Sequence, residues 1–132
     1  MLRSLVAILM GFIIAMAVVI LGGYLIAAAL GLPPGHWTTP VFLNASLFVN
    51  AVAAILGGVA TVRFSPRWPR SHVYALAALL LLISLPTLFA APPPDEPEWF
   101  NIVNSLIGPL FAILGGLIAA EVLHKPEGSS PG

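Results

Sequence analysis

The sequence predicts an all-α polytopic membrane protein with four transmembrane helices arranged as two helical hairpins and both termini cytoplasmic. Three observations carry that prediction. Hydrophobic residues make up 59% of the 132 and charged residues 8%, against roughly 25% charged usage in soluble domains. Residues 5–32, 41–62, 73–91 and 99–120 contain no Asp, Glu, Lys, Arg or His. Each run is near or above the roughly 17 to 25 apolar residues that cross a bilayer core about 30 Å thick. Finally, the charges between the runs are sorted by sign, one connection basic and the next acidic.

In chain order, the first span, about 5–32, follows Arg3 and ends near Ala27, Ala28 and Ala29. Small residues there resemble a signal-peptide cleavage site, but the apolar stretch exceeds the usual core of roughly 7 to 15 residues, so an uncleaved span is expected. The connection from Pro33 to Pro40 is rich in helix breakers and carries no formal charge. The second span, about 41–62, leads into a loop holding Arg63, Arg67 and Arg70. The third, about 73–91, leads into Pro92, Pro93 and Pro94 and the acids Asp95, Glu96 and Glu98. The fourth is placed at about 99–121. One domain thus covers residues 1–124, and 125–132 form a flexible tail of helix-ending and disordered character.

Orientation follows from the arginines. With four spans, Arg3, the Arg63–Arg70 loop and Lys125 share one side, and none of the five basic residues falls opposite. Cytoplasmic loops carry the Lys and Arg excess, which places both termini in the cytoplasm of what reads as a bacterial inner-membrane protein. Trp37 and Trp99 then flank the outer boundary and Trp68 the inner one, as interfacial aromatic anchors. The alternative for Trp37 and Trp99 is a role in binding a small molecule at the outer mouth. Arg63, Arg67 and Arg70 set topology and can face lipid headgroups.

Small residues suggest how the helices pack. In lipid, small side chains four apart let two backbones approach, and Ala54 with Gly58, Gly57 with Thr61, Ala112 with Gly116, and Gly115 with Ala119 all have that spacing. Helices two and four are therefore expected to cross closely near the inner leaflet. Ile55-Leu56-Gly57-Gly58-Val59 also matches Ile113-Leu114-Gly115-Gly116-Leu117 at an offset of 58, which suggests two repeated hairpins.

Polar side chains point to the same pair of helices. On helix two, Ser46, Asn50, Ala54, Gly57 and Thr61 follow one face; on helix four, Asn104, Gly108, Ala112, Gly115 and Ala119 do. Helices one and three offer almost no polar side chains. An unpaired amide in hydrocarbon is costly, so Asn50 and Asn104 are expected to pair as helix glue, with a polar path as the alternative. Pro109, beside Gly108, removes the N–H that would bond the Ser105 carbonyl, freeing an acceptor. The candidate packing or polar face is accordingly Asn50, Ala54, Gly57, Gly58, Asn104, Ser105, Gly108, Pro109, Ala112, Gly115 and Gly116.

Catalytic chemistry is sparse. No carboxylate pair is placed to share a proton, and the chain has no cysteine, which excludes disulfides and thiol chemistry. Glu121 and His124 share a helical face and His72 could join them at the inner surface, the only basis for a metal site or an enzyme there. No cofactor is expected. Zero net charge without a basic cluster argues against nucleic acid as a partner.

The run Gly57-Gly58-Val59-Ala60-Thr61-Val62-Arg63, then Pro66-Arg67-Trp68-Pro69-Arg70-Ser71-His72, then Trp99-Phe100 before a last helix ending in Gly115-Gly116, resembles a group of small four-span bacterial inner-membrane proteins without assigned activity. That resemblance covers roughly residues 45 to 120 and implies four inner-membrane spans with no catalytic residue. Small multidrug exporters differ, since they depend on a glutamate in the first span. Here residues 5–32 have no ionisable side chain except Tyr24. Nor does helix three carry the Thr and Ser signature of the small fluoride channels. The expectation is a non-enzymatic structural or accessory membrane subunit, in contact with lipid and with a second copy or another membrane protein. A small channel or transporter between helices two and four is the alternative, and an enzyme at the inner surface a third reading.

Overall fold

The structure, a computed structural model, describes residues 1–34 and 36–123. It consists of four α-helices: α1 Leu2–Ala29, α2 Pro40–Phe64, α3 Pro69–Phe89 and α4 Glu98–Leu123. All four are long and apolar enough to cross a membrane. The shortest, α3, has 21 residues, and at about 1.5 Å rise per residue it still measures roughly 31 Å. The tail 125–132 and His124 lie outside the described residues.

Local sequence sets the helix ends. α1 stops at Ala29 rather than reaching Leu32 because Gly31 adopts φ +64°, a left-handed conformation that glycine reaches without steric cost. The Gly31 N–H bonds to the Ala28 carbonyl at 3.2 Å and the Leu32 N–H to that of Ala27 at 2.9 Å, the paired bonds of a Schellman ending. Leu32 then folds back onto the cluster of Ala27, Phe42, Leu43 and Phe100. Pro40 opens α2 and Thr39 caps it, its hydroxyl accepting from the Phe42 N–H at 3.3 Å. Pro69 opens α3 behind Trp68, which holds φ 54°. His72 Nδ1 ties that turn together, 2.9 Å from the Trp68 carbonyl and 3.1 Å from the Ser65 hydroxyl.

α1 packs along α2, α2 along α4, and α4 along α3; α3 also touches α1 and α2, while the α1 and α4 backbones stay apart. Three apolar clusters fill the bundle in layers, with Ala27, Phe42, Leu43 and Phe100 at one end. Ala54, Leu76, Leu80 and Ala112 form the middle, and Val62, Val73, Ala119 and Ala120 the other end. These contacts run α1 antiparallel to α2, and α2 parallel to α4. Arg3, Arg63, Arg67 and Arg70 therefore gather at one end of the bundle, and Asp95, Glu96 and Glu98 at the other. The outer surface is studded with exposed Ile13, Ile20, Leu25, Phe48, Leu82, Ile102, Leu110 and Ile118. Such a belt is unfavourable in water and expected in lipid, supporting a membrane location.

The small residues make this packing possible. A Cβ on Gly58 would strike the Ala112 carbonyl oxygen and lie 2.8 Å from the Gly116 nitrogen, and one on Gly115 would lie 2.7 Å from the Ile55 carbonyl oxygen. Helices α2 and α4 thus cross within one chain at near backbone contact, toward the arginine end. Gly57 turns instead to α1, where a Cβ would fall 2.8 Å from the Gly11 carbonyl oxygen. The two Gly-Gly pairs therefore do different jobs. In α2 the first glycine faces α1 and the second α4; in α4 the first, Gly115, faces α2, and a Cβ on the second, Gly116, would meet Val73 of α3.

Candidate functional site

Thr61 apart, whose hydroxyl donates to the Gly57 carbonyl at 3.0 Å, most polar side chains within the helices collect in the half of the bundle nearest the acidic loop. Asn50, in the middle of α2, points its amide at α4, where Nδ2 donates to Asn104 Oδ1 at 2.9 Å and to the Asn104 carbonyl at 3.2 Å. One turn further along α4, Pro109 lacks the N–H that would satisfy the Ser105 carbonyl. The Ser84 hydroxyl of α3 reaches that carbonyl at only 3.4 Å, and it donates at 2.7 Å to the Leu80 carbonyl of its own helix. One hydroxyl proton cannot serve both well, so the Ser105 carbonyl retains acceptor capacity.

These residues surround a cavity of about 400 Å³ among all four helices. Its polar wall consists of Ser46, Asn50, Ser84, Thr87, Asn104 and Ser105; its apolar wall includes Met16, Val19, Leu80, Ile83 and Phe100. Glu96 and Trp37, from the two connections at this end, complete the lining. Gly108 is buried on this wall, yet a Cβ added there would meet nothing within 4 Å. That empty space contrasts with the backbone contacts at Gly58 and Gly115.

Two side-chain atoms in the lining residues are buried without a partner: the Ser105 hydroxyl and the Trp37 indole nitrogen. Ser105 is 2% exposed. Buried polar groups are almost always satisfied, so these two stand out; both atoms lie behind the accessible surface of the cavity rather than on it. Trp37 departs from the expectation of a simple interfacial anchor. Its ring packs 5.7 Å from Phe42 and edge-on to Tyr24 at 5.4 Å, within the bundle's end layer. Trp68 and Trp99 remain exposed, as anchors would.

Toward the arginine end the cavity closes. Leu76, one turn along α3 from Leu80, is fully buried, as are Val62, Val73 and Thr61. With the α2–α4 crossing at Gly58 and Ala112, these side chains fill the bundle beyond the cavity at that end.

The expected face divides by role. Asn50, Asn104, Ser105, Gly108 and Pro109 line the cavity, whereas Ala54, Gly58, Ala112, Gly115 and Gly116 pack helices together and Gly57 belongs to the α1 contact. Ser84 and Thr87 of α3 join the lining although helix three reads as almost without polar groups; their spacing of three residues on an apolar helix was the available signal. The small stripe of α1, Ala7, Gly11 and Ala15, all buried, was likewise readable from its spacing of four. Arg63, Arg67 and Arg70 are exposed at the opposite end. Among the described residues no three His, Cys, Asp or Glu side chains converge as metal ligands.

Fold and site together define a class, a four-helix protein whose helices can cross a membrane and which holds a partly open cavity with one polar wall. No family model, no curated protein and no solved structure matches the chain.

Proposed function

We infer that the chain is a non-enzymatic inner-membrane protein that receives a small, uncharged, hydrogen-bonding solute in the cavity between α2 and α4. The observation that carries this reading is the cavity of about 400 Å³ lined by the hydroxyls and amides of Ser46, Asn50, Ser84, Thr87 and Asn104. Cavities of roughly 300 to 1,000 Å³ with a few convergent polar groups suit small-molecule ligands. The lining offers hydroxyls and amides, and Glu96 is its one charged residue; a charged guest held deeper would lack a counter-ion. The positive-inside rule places the arginine end in the cytoplasm and the cavity half of the bundle toward the outside, giving two hairpins with both termini inside. A cavity that stops at the packed arginine half of the bundle fits a receptor or an outward-facing carrier rather than an open pore.

The test uses Trp37 as reporter, in a Trp68→Phe, Trp99→Phe background, with urea, glycerol and small amides as probes. Binding should shift Trp37 emission saturably, and Gly108→Leu, which fills the empty space, should abolish the shift. If no probe changes the signal and Gly108→Leu matches the parent, the cavity is only a packing defect. A structural or accessory subunit is the second reading, favoured by the direct Asn50–Asn104 bond, which ties the two helices together without a guest.

A further inference from the structure

At the arginine end, on the opposite half of the bundle from the cavity, a furrow of about 350 Å³ runs between α2 and α4 on the outer surface. It arises from the close crossing, because Gly115 brings the helices too near for side chains to fill the seam and forms its floor. Ile55, Val59 and Arg63, each four residues apart on one helical face, make one wall; Ile118 and Val122 make the other. Ile118 and Val122 are 55% and 69% exposed. The furrow is thus apolar along roughly 12 Å of helix and ends at a single guanidinium.

We propose that this furrow is a binding site for an anionic phospholipid, one acyl chain lying along Ile55, Val59, Ile118 and Val122 and the phosphate on Arg63. The occupant follows from chemistry. A groove on a bilayer-facing surface is filled by hydrocarbon, and the charge at its end selects which lipid supplies it. Guanidinium binds phosphate through two parallel N–H donors, and basic pockets between helices on the cytoplasmic side take anionic headgroups. Arg67 and Arg70, in the same connection, do not line the furrow, so the site depends on Arg63 rather than on the loop's charge as a whole. Glu121, next to Val122, is also outside the lining.

Native mass spectrometry of the detergent-solubilised chain, offered equal amounts of dioctanoyl phosphatidylglycerol and dioctanoyl phosphatidylcholine, tests this. The parent should retain the anionic lipid preferentially. Arg63→Gln should lower that preference about fivefold, equivalent to ~1 kcal/mol, while Arg67→Gln leaves it unchanged. Equal loss in both variants, or none in Arg63→Gln, overturns the proposal in favour of diffuse attraction. Glycerol 1-phosphate provides the second arm, and retention equal to the two-chain lipid would show that the furrow contributes nothing and overturn it as well.

Discussion

The Asn50 amide nitrogen donates to two oxygens of one residue, Asn104 Oδ1 at 2.9 Å and the Asn104 carbonyl at 3.2 Å. The amide is therefore committed across the α2–α4 interface, fixing the register of two parallel helices whose other contacts are van der Waals packing. Hydrogen bonds between helices in lipid contribute about 0.6 to 2 kcal/mol. Asn50→Leu should destabilise the bundle by about 1 kcal/mol in unfolding from mixed micelles. In a double-mutant cycle with Asn104→Leu the two changes should be less than additive, because they remove the same bond. Strict additivity would mean that each asparagine is satisfied elsewhere.

Two glycines, apparently alike in sequence, should respond oppositely to one methyl group. At Gly58 a Cβ meets the Ala112 carbonyl and the Gly116 nitrogen, backbone atoms that cannot rotate aside. Gly58→Ala should then cost on the order of 1–3 kcal/mol, the usual range for overpacking. At Gly108 there is nothing within 4 Å, and alanine is the better helix former by up to ~1 kcal/mol. Gly108→Ala should be neutral or stabilising. The same micelle unfolding measurement, run on both, distinguishes a tight crossing from an open cavity wall.

The four helices were legible because exclusion of charge over about 20 residues has few explanations besides a bilayer, and the Asn50–Asn104 pairing followed from the cost of an unpaired amide. Which glycine faces which neighbour was not legible. Gly57 and Gly58 are adjacent, about 100° apart on α2, and choosing between α1 and α4 requires knowing that α1 carries its own small stripe at Ala7, Gly11 and Ala15. The match between the two Gly-Gly motifs likewise concealed their unequal packing, since sequence identity says nothing of which neighbour each glycine meets. The cavity was legible only as an alternative, a polar path between helices two and four. It depends on space left by Gly108 and Pro109, and empty volume has no residue of its own.

Ser105 offers a probe of the packing behind that volume. Its hydroxyl is buried and unpartnered, so its desolvation is uncompensated. Removing such a group relieves a penalty of about 1–3 kcal/mol, whereas removing one member of a satisfied pair incurs a loss. Ser105→Ala should therefore leave stability in micelle unfolding unchanged or raise it. A clear loss of stability on Ser105→Ala would instead assign the hydroxyl a partner within the protein.

Orientation can be read directly because the chain contains no cysteine. The acids Asp95, Glu96 and Glu98 sit at one end of the bundle and Arg63, Arg67 and Arg70 at the other, and the proposed orientation, resting on the Lys and Arg excess, puts the latter in the cytoplasm. A single cysteine introduced as Asp95→Cys should react with a membrane-impermeant maleimide in intact spheroplasts. One introduced as Arg67→Cys should react only after permeabilisation, with the parent chain as an unreactive control. Replacing Arg63, Arg70 and Arg3 with Gln in the Arg67→Cys background removes most of the bias that holds the loop inside. That chain should then label in both states, as a mixture of orientations. Labelling of Arg67→Cys in intact spheroplasts with the other arginines present would reverse the assignment, and the cavity half of the bundle would lie toward the cytoplasm.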